Sequence, residues 1–183
     1  MTKQEQRRKA LAARTAMPDA ERAAASAAIC ARLAELPALQ SPCTVLSYRA
    51  LPEEADLSAL HDALLARGFR LVFPVTLPDR SLAFHEPRGW VTGRFGVTEP
   101  DVETSLPVTP GEIDVALLPC VGFDAQCRRL GHGAGCYDRT LPRCAHALRV
   151  AVAFDCQKLP AIVCGEHDLP MDVVVTEKQI YCC

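Results

Sequence analysis

The sequence predicts an α/β fold in three layers: a mainly parallel central sheet with helices on both faces, joined at the N-terminus by a helical pair. Three observations carry that expectation. Short apolar runs at 44–48, 70–74, 113–119, 148–154 and 171–176, rich in Val, Leu and Ile, have the length and composition of buried strands. Helix-forming stretches precede the first run and separate it from the second. Between the third and fourth stands a glycine-rich loop with a helix-competent segment, Tyr137 to Ala145, behind it, the strand, loop and helix order of anion-binding proteins.

Residues 2 to 16 and 18 to 36 are rich in Ala, Arg, Gln, Glu and Leu, and Pro18 with Asp19 marks a break and a new helix start. In the first helix, a rotation of about 100° per residue brings Lys3, Arg7 and Arg14 to one face. On spacing alone that is a solvated basic stripe. In the second, Ile29, Leu33 and Leu36 recur at helical spacing and are expected in the core. Thr44 to Tyr48 reads as a strand, Asp56 to Arg67 as a helix with Leu57, Leu60 and Leu64 inward, and Gly68 as its stop. Arg70 to Pro74 is the next strand, and this β-α-β order predicts a parallel, right-handed crossover.

The connecting residues Arg49 to Glu54 follow the end of a strand, the edge where open α/β sheets place ligands. Adjacent acids such as Glu53 and Glu54 are, by themselves, ordinary solvated loop residues. Residues 75 to 112 are broken by prolines and glycines and predict loops and short antiparallel strands, among them Leu82-Ala83-Phe84, with Trp90 covering an edge of the core. Residues 148–154 and 171–176 predict two further parallel strands. No repeat, low-complexity tract or linker divides the chain, so one domain over residues 1–183 is expected, long enough to bury a core unaided.

A formal charge of -2 and a pI near 6.2 argue against a general binder of nucleic acid or anionic membrane, whose affinity rests on a basic surface. No segment approaches the roughly 18 apolar residues of a membrane span, and the start runs into charge and alanine, so a cytoplasmic protein is expected. Ten cysteines invite a disulfide or zinc reading. Yet none of Cys30, Cys43, Cys120, Cys127, Cys136, Cys144, Cys156 and Cys164 belongs to a Cys-x-x-Cys pair, and only Cys182 and Cys183 adjoin. The expectation is reduced thiols, mostly packed as small hydrophobes, and no zinc site.

The stretch from Arg128 to Arg139 carries the chemistry. Gly131, Gly133 and Gly135 let the backbone take positive φ and approach a ligand, so successive N–H groups can face phosphate oxygens. Asp138 stands where it could hold a cation. The spacing fits neither the Walker pattern nor the dinucleotide fingerprint. Glycine is also ordinary turn chemistry, so the loop alone leaves both readings open.

Pro119-Cys120-Val121-Gly122-Phe123-Asp124, followed by Arg129-Leu130-Gly131-x-Gly133-x-Gly135-x-Tyr137-Asp138, resembles the signature of the 5-formyltetrahydrofolate cyclo-ligase family. The resemblance extends through Lys3 to Arg7, Tyr48 to Asp56, Phe95 to Pro100 and His167 to Glu177. It implies a Rossmann-like scaffold, ATP as co-substrate, Mg2+, and small-molecule partners only, with a monomer expected. The reaction implied is ATP-dependent cyclisation of 5-formyltetrahydrofolate to 5,10-methenyltetrahydrofolate, through phosphorylation of the formyl oxygen and attack by N10.

By resemblance, ATP contacts fall to Lys3, Arg7, Arg129, Leu130, Gly131, His132, Gly133, Ala134, Gly135, Cys136 and Tyr137. Arg49, Leu51, Glu54, Gly133, Gly135 and Cys136 would meet the folate, and the Glu-x-Asp spacing selects Glu54 over Glu53. Arg129, Tyr137 and Glu54 are the implied catalytic groups, and Asp138 and Asp168 the implied magnesium ligands. Arg14 is a weaker candidate for ATP, Trp90 a further surface on which a pterin could stack, and Glu99 has no assigned role. Cys136 replaces the first tyrosine of the usual Tyr-Tyr-Asp, Cys127 stands where a turn glycine is common, and Cys120 replaces another small residue. Cys127 therefore either adopts a positive φ or marks a different turn. Two other classes stay open: a non-catalytic regulator binding nucleotide or folate on the same scaffold, and an isomerase or acyl-transferase relative needing no ATP.

Overall fold

The computed structural model describes residues 1–165 and 168–183. Helix α1 (Lys3–Thr15) opens on Thr2, whose hydroxyl accepts the Glu5 N–H at 3.2 Å while the Glu5 carboxylate accepts the Thr2 N–H at 2.6 Å. This reciprocal capping fixes the helix start and hence the position of Lys3. Helix α2 (Asp19–Ala34) begins behind Pro18. Then come β1 (Thr44–Leu46), α3 (Ser58–Ala66) and β2 (Arg70–Thr76). Gly68, with φ 83°, ends α3, donating to Leu65 at 3.0 Å while Phe69 donates to Leu64 at 3.1 Å. That bond pair is the Schellman closure, which needs a left-handed residue and takes a glycine for it.

Short strands β3 (Leu82–Glu86), β4 (Trp90–Thr92), β5 (Thr98–Pro100) and β6 (Leu106–Val108) follow, all paired antiparallel to their neighbours. After β7 (Val115–Pro119) the chain makes a small hairpin of β8 (Gly122–Phe123) and β9 (Arg129–Leu130). The glycine loop leads from it into α4 (Cys136–Thr140), then β10 (Leu148–Val152), β11 (Val173–Val175) and β12 (Ile180–Cys182).

The main sheet runs β12-β11-β10-β7-β1-β2-β3-β6. Strands β11, β10, β7, β1 and β2 are parallel, and antiparallel strands close both edges. Successive side chains of a strand point to opposite faces, and here they sort two cores. Val45, Leu71, Phe73, Val115, Leu117, Val150, Val152 and Val175 pack against Ile29 and Leu33 of α2 and Leu57, Leu60 and Leu64 of the α3 segment. Leu46, Val72, Ala116, Leu118, Ala151 and Val174 face the other way, toward Leu141, Cys144 and Met171. Each fully buried Leu or Val on either side contributes about 1.5–3 kcal/mol of transfer free energy.

Chain order places the functional edge. From β1 the chain crosses through α3 to β2 on one side, whereas from β7 it proceeds to β10 and β11 on the other. Neighbours β1 and β7 thus flank the point where strand order reverses, and ligands of open α/β sheets sit outside the carboxyl ends there.

Three expectations need correction. The helix after the glycine loop was expected over residues 137–145 but stops at Thr140, with a tighter turn at Leu141–Arg143. Pro142 lacks the N–H that an α-helix needs at this point. The strand does not run directly into the loop, because the β8–β9 hairpin intervenes. The cysteines are not all reduced: Cys127 and Cys183 form a disulfide across 56 residues, their Cα atoms 6.1 Å apart. No local spacing announces such a pair. Cys127 adopts the positive φ, 54°. Of the free thiols only Cys30, Cys120 and Cys144 are buried. Residues 180–182 form an edge strand that the sequence reading did not contain.

Candidate active site

A cleft of about 580 Å³ opens at the carboxyl ends of β1 and β7. Its walls include Lys3, Arg7, Arg49, Leu51, Glu54, Asp138, Asp168 and every residue from Arg129 to Tyr137, so all of the residues assigned by resemblance to catalysis, ATP, folate and magnesium meet in one place. Trp90 and Arg14 are not on its wall. Trp90 stands 40 % exposed, edge-on to Phe73 with centroids 5.0 Å apart and with the Arg49 guanidinium 4.9 Å over its ring. The His167 part of the resemblance lies outside the described residues.

Helix α1 is docked by its own side chains. Gln6, buried, donates to the Ala161 carbonyl at 2.6 Å and accepts the Val163 N–H at 3.0 Å. Ala10 packs among Val121, Leu130, Leu159 and Ile162. Held this way, α1 turns Lys3 and Arg7 into the cleft. Arg7 Nε donates to the Gly131 carbonyl at 2.8 Å, and Lys3 Nζ contacts the Asp168 carboxylate. Asp168 also accepts the Gly165 N–H at 2.6 Å. Burial pushes the Asp168 carboxyl up, but the Lys3 and Gly165 hydrogen bonds outweigh it and hold the group below its ordinary range.

The hairpin positions Arg129. Its turn is gathered by Asp124, fully buried, whose carboxylate accepts the N–H groups of Gln126, Arg128 and Ile162 at 3.0, 3.1 and 2.7 Å and the Arg128 guanidinium at 2.6 Å. Arg129 then reaches back, Nε donating to the Pro119 carbonyl at 3.2 Å. Its guanidinium lies 3.7 Å from the Asp138 carboxylate and 5.3 Å from the centre of the Tyr137 ring. The glycine loop passes between two guanidinium groups: a Cβ on Gly131 would stand 3.1 Å from Arg129, and one on Gly133 3.3 Å from Arg7. Gly133 and Gly135 have φ of 105° and 71°, which side chains of L-residues adopt at a cost of about 1–2 kcal/mol.

Across the cleft, Pro52 supplies the fixed φ of a turn from Leu51 to Glu54. Its ends are tied twice, Glu54 N–H to the Leu51 carbonyl at 2.9 Å and Leu51 N–H to Glu54 Oε2 at 3.0 Å. Glu54 is buried, with His132 Nε2 at 3.0 Å and Arg14 Nη1 at 3.9 Å from its Oε1. Glu53 instead is half-buried and accepts the Thr15 hydroxyl at 2.8 Å. Tyr48 donates to the Ala55 carbonyl at 2.9 Å and closes the floor.

Two observations bear on nucleophiles. Burial pushes the Cys120 thiol up to about 12 and also raises Cys136. Both stay thiols near neutral pH. Burial likewise raises Tyr137, against the opposing charge of Arg129, so its hydroxyl keeps its proton. The sequence reading missed the cleft's far wall, formed by Pro74, Thr76, Leu82, Phe95, Val97, Thr98 and Glu99. The segment Phe95 to Pro100 carried family resemblance, but its chemistry depends on β5 docking beside β2, which no local pattern encodes.

The cleft wall thus gathers three cations, Lys3, Arg7 and Arg129, beside the glycine loop, and holds the buried carboxylates of Glu54 and Glu99 along with Pro74, Leu82, Phe95 and Val97. A family model described as the 5-formyltetrahydrofolate cyclo-ligase family matches residues 1–177. The chain is 36% identical over 144 residues to the 5-formyltetrahydrofolate cyclo-ligase of Mycolicibacterium smegmatis, covering 74% of each sequence. To the Escherichia coli cyclo-ligase it is 33% identical over 147 residues, 75% of this chain and 80% of that one. The NMR structure of Aquifex aeolicus 5,10-methenyltetrahydrofolate synthetase superposes with a TM-score of 0.85 at 32% identity, over 100% of this chain and 93% of that one. With the match running almost end to end and the signature residues gathered in one cleft, the chain belongs to the 5-formyltetrahydrofolate cyclo-ligase family.

Proposed function

We propose that this cleft, in a single domain spanning residues 1–183, converts 5-formyltetrahydrofolate and ATP into 5,10-methenyltetrahydrofolate, ADP and phosphate. The observation that carries the reading is the convergence of three cations and a left-handed glycine loop on one end of a cleft whose other end is apolar. That arrangement suits a triphosphate meeting a flat heterocycle.

The chemistry has two obstacles. A formamide carbon is a poor electrophile, and its oxygen is a poor leaving group. Transfer of the γ-phosphoryl to the formyl oxygen removes both: N10 then adds to the activated carbon, loses its proton, and the original formyl oxygen departs as part of phosphate. The protein's work is positioning and charge compensation. Lys3, Arg7 and Arg129 bind the triphosphate, each contact near 4 Å being worth about 4 kcal/mol at an effective dielectric of 20, before desolvation. Backbone N–H groups of residues 131–135 face the transferring group. Tyr137, protonated, donates to a substrate oxygen. Glu54 stays fixed by Leu51 and His132 and orients the folate beside Arg49 and Leu51.

Asp138 and Asp168 line the same cleft, and among the described residues no cluster of three or more His, Cys, Asp or Glu side chains could hold a metal ion. Two carboxylates without a closed cage are the donor set for Mg2+ arriving on a nucleotide, completed by phosphate oxygens and water. When bound, the ion supplies charge neutralisation at the γ-phosphate. The active unit proposed is a monomer. No described helix is long and apolar enough to cross a membrane.

An acyl-transferase would need an exposed glutamate nucleophile beside the loop, but Glu54 has both oxygens engaged. A non-catalytic regulator is separated by turnover. Methenyl product, followed by its near-ultraviolet absorbance, should form only with 5-formyltetrahydrofolate, ATP and Mg2+ all present. Asp138→Ala should slow it at least a hundredfold. Absence of product in the complete mixture would favour the regulator.

A further inference from the structure

Glu99 is a buried carboxylate with no counter-ion. Only 6% of it is exposed, and among the described residues it forms no salt bridge. Oε1 accepts the Thr76 N–H at 3.1 Å and the Thr76 hydroxyl at 2.6 Å, while Oε2 accepts nothing from the described residues. The contrast with Glu54 is direct, since both oxygens of that residue have protein partners and a guanidinium stands behind it. Oε2 is not among the fully buried orphan atoms of the described residues, so it is open to a donor from outside the protein.

The cleft is where such a donor can reach it. Glu99 is part of its wall, beside Thr76, Leu82 and Val97, and its charge reaches Tyr137 on the opposite side. The carboxylate packs against the β4–β5 connection. Backbone crosses so closely there that a Cβ on Gly93 would lie 2.0 Å from Oε2, which is why this position of the β4–β5 connection carries glycine.

We infer that Glu99 reads the aminopyrimidinone end of the folate, its Oε2 accepting from the 2-amino group. This rests on the folate reading of the cleft given above. The cationic end suits phosphate, which leaves the apolar end for a ring. Adenine also carries an amino group, but that group is flanked by two ring nitrogens that are acceptors, and one would face the carboxylate. The pterin amino group is flanked on one side by a ring N–H, a second donor, so the same approach brings attraction from both. The assignment gives the charge of Glu99 a partner and makes it a specificity-determining residue for the substrate rather than for ATP.

The test compares kcat/KM of wild type and Glu99→Gln on 5-formyltetrahydrofolate and on its 2-desamino analogue, with the KM for ATP measured alongside. Gln preserves the volume and an acceptor for Thr76 but removes the charge. Wild type should prefer the parent substrate by about tenfold or more, the range of a hydrogen bond to a charged group. Glu99→Gln should lose at least tenfold on the parent and little on the analogue, so the preference falls to within about twofold. The KM for ATP should move less than twofold. A variant that loses equally on both substrates, or a KM for ATP that rises in parallel, overturns the assignment. If Glu99→Gln does not fold, Glu99→Asp, which keeps the charge but draws it back by one methylene, is compared on the same two substrates, and the preference for the parent should again fall. Wild type that makes no methenyl product from the parent refutes the parent reading of function instead. Equilibrium binding of the two folates to wild type and variant then decides the role of Glu99 separately: equal affinities in both proteins overturn it.

Discussion

At Glu54 a single carboxylate serves structure and site together. Arg14 is buried beside it, and two of the guanidinium nitrogens, Nε and Nη1, have no hydrogen-bond partner. Glu54→Ala therefore strands a buried cation, a change that costs about 3–5 kcal/mol. For a chain of this length the melting temperature should fall by roughly 6–20 °C. A loss under 2 °C would show that Arg14 finds other compensation.

Gly133 is the complementary case. With φ of 105°, Gly133→Ala meets backbone strain and presses on Arg7, yet it touches no core residue. We expect kcat/KM to drop at least tenfold while the melting temperature falls only a few degrees. Full activity in a folded variant would make the loop a plain turn.

His61 sets an acid limit on stability. Its Nε2 lies 2.7 Å from the Ser47 hydroxyl, and burial, aided by the charge of Arg49, lowers its pKa from 6.5 to about 4. The unfolded chain thus binds this proton at a higher pH than the folded one. Stability from neutral His61 is complete above pH 6.5 and is lost as pH falls toward 4, about 3 kcal/mol in all. His61→Gln should flatten the stability profile in that window, and denaturant titrations at closely spaced pH would show an unchanged slope if another group were responsible.

At the scale of elements, α1 is the piece that couples folding to the site, because Gln6 docks the same helix that carries Lys3 and Arg7. Gln6→Ala removes the bonds to the Val163 N–H and the Ala161 carbonyl, about 0.5–1.5 kcal/mol each because both residues are exposed and water can take the vacated places. The expected signature is a raised KM for ATP with a smaller change in that for folate. Equal changes in both would uncouple α1 from the nucleotide.

How far elements were legible follows the range of the forces that make them. Helices α1 and α2 and strands β1, β2, β7, β10 and β11 come from local periodicity and composition, and their expected positions hold to within a few residues. The segment before β10 was overextended because Pro142 outweighs the favourable residues around it. Edge strand β12 exists only through pairing with β11. Lys3, Arg7 and the glycine loop were readable through their family signature. Glu99 was not, since its significance arises from Thr76 and Gly93, brought to it by hairpin docking.

For the whole molecule, the reversal of strand order between β1 and β7 explains why residues as far apart in sequence as Lys3, Glu54, Asp138 and Asp168 share one cleft. The class of sheet was readable from its apolar runs. The Cys127–Cys183 bridge was not, because a contact across 56 residues has no local trace. The central claim is that this shared cleft brings the γ-phosphoryl of ATP to the formyl oxygen. Turnover of 5-formyltetrahydrofolate labelled with 18O in the formyl group tests it most directly, by mass spectrometry of the released phosphate. One labelled oxygen should appear in phosphate for each methenyl group formed, whereas methenyl product accompanied by unlabelled phosphate would contradict the account.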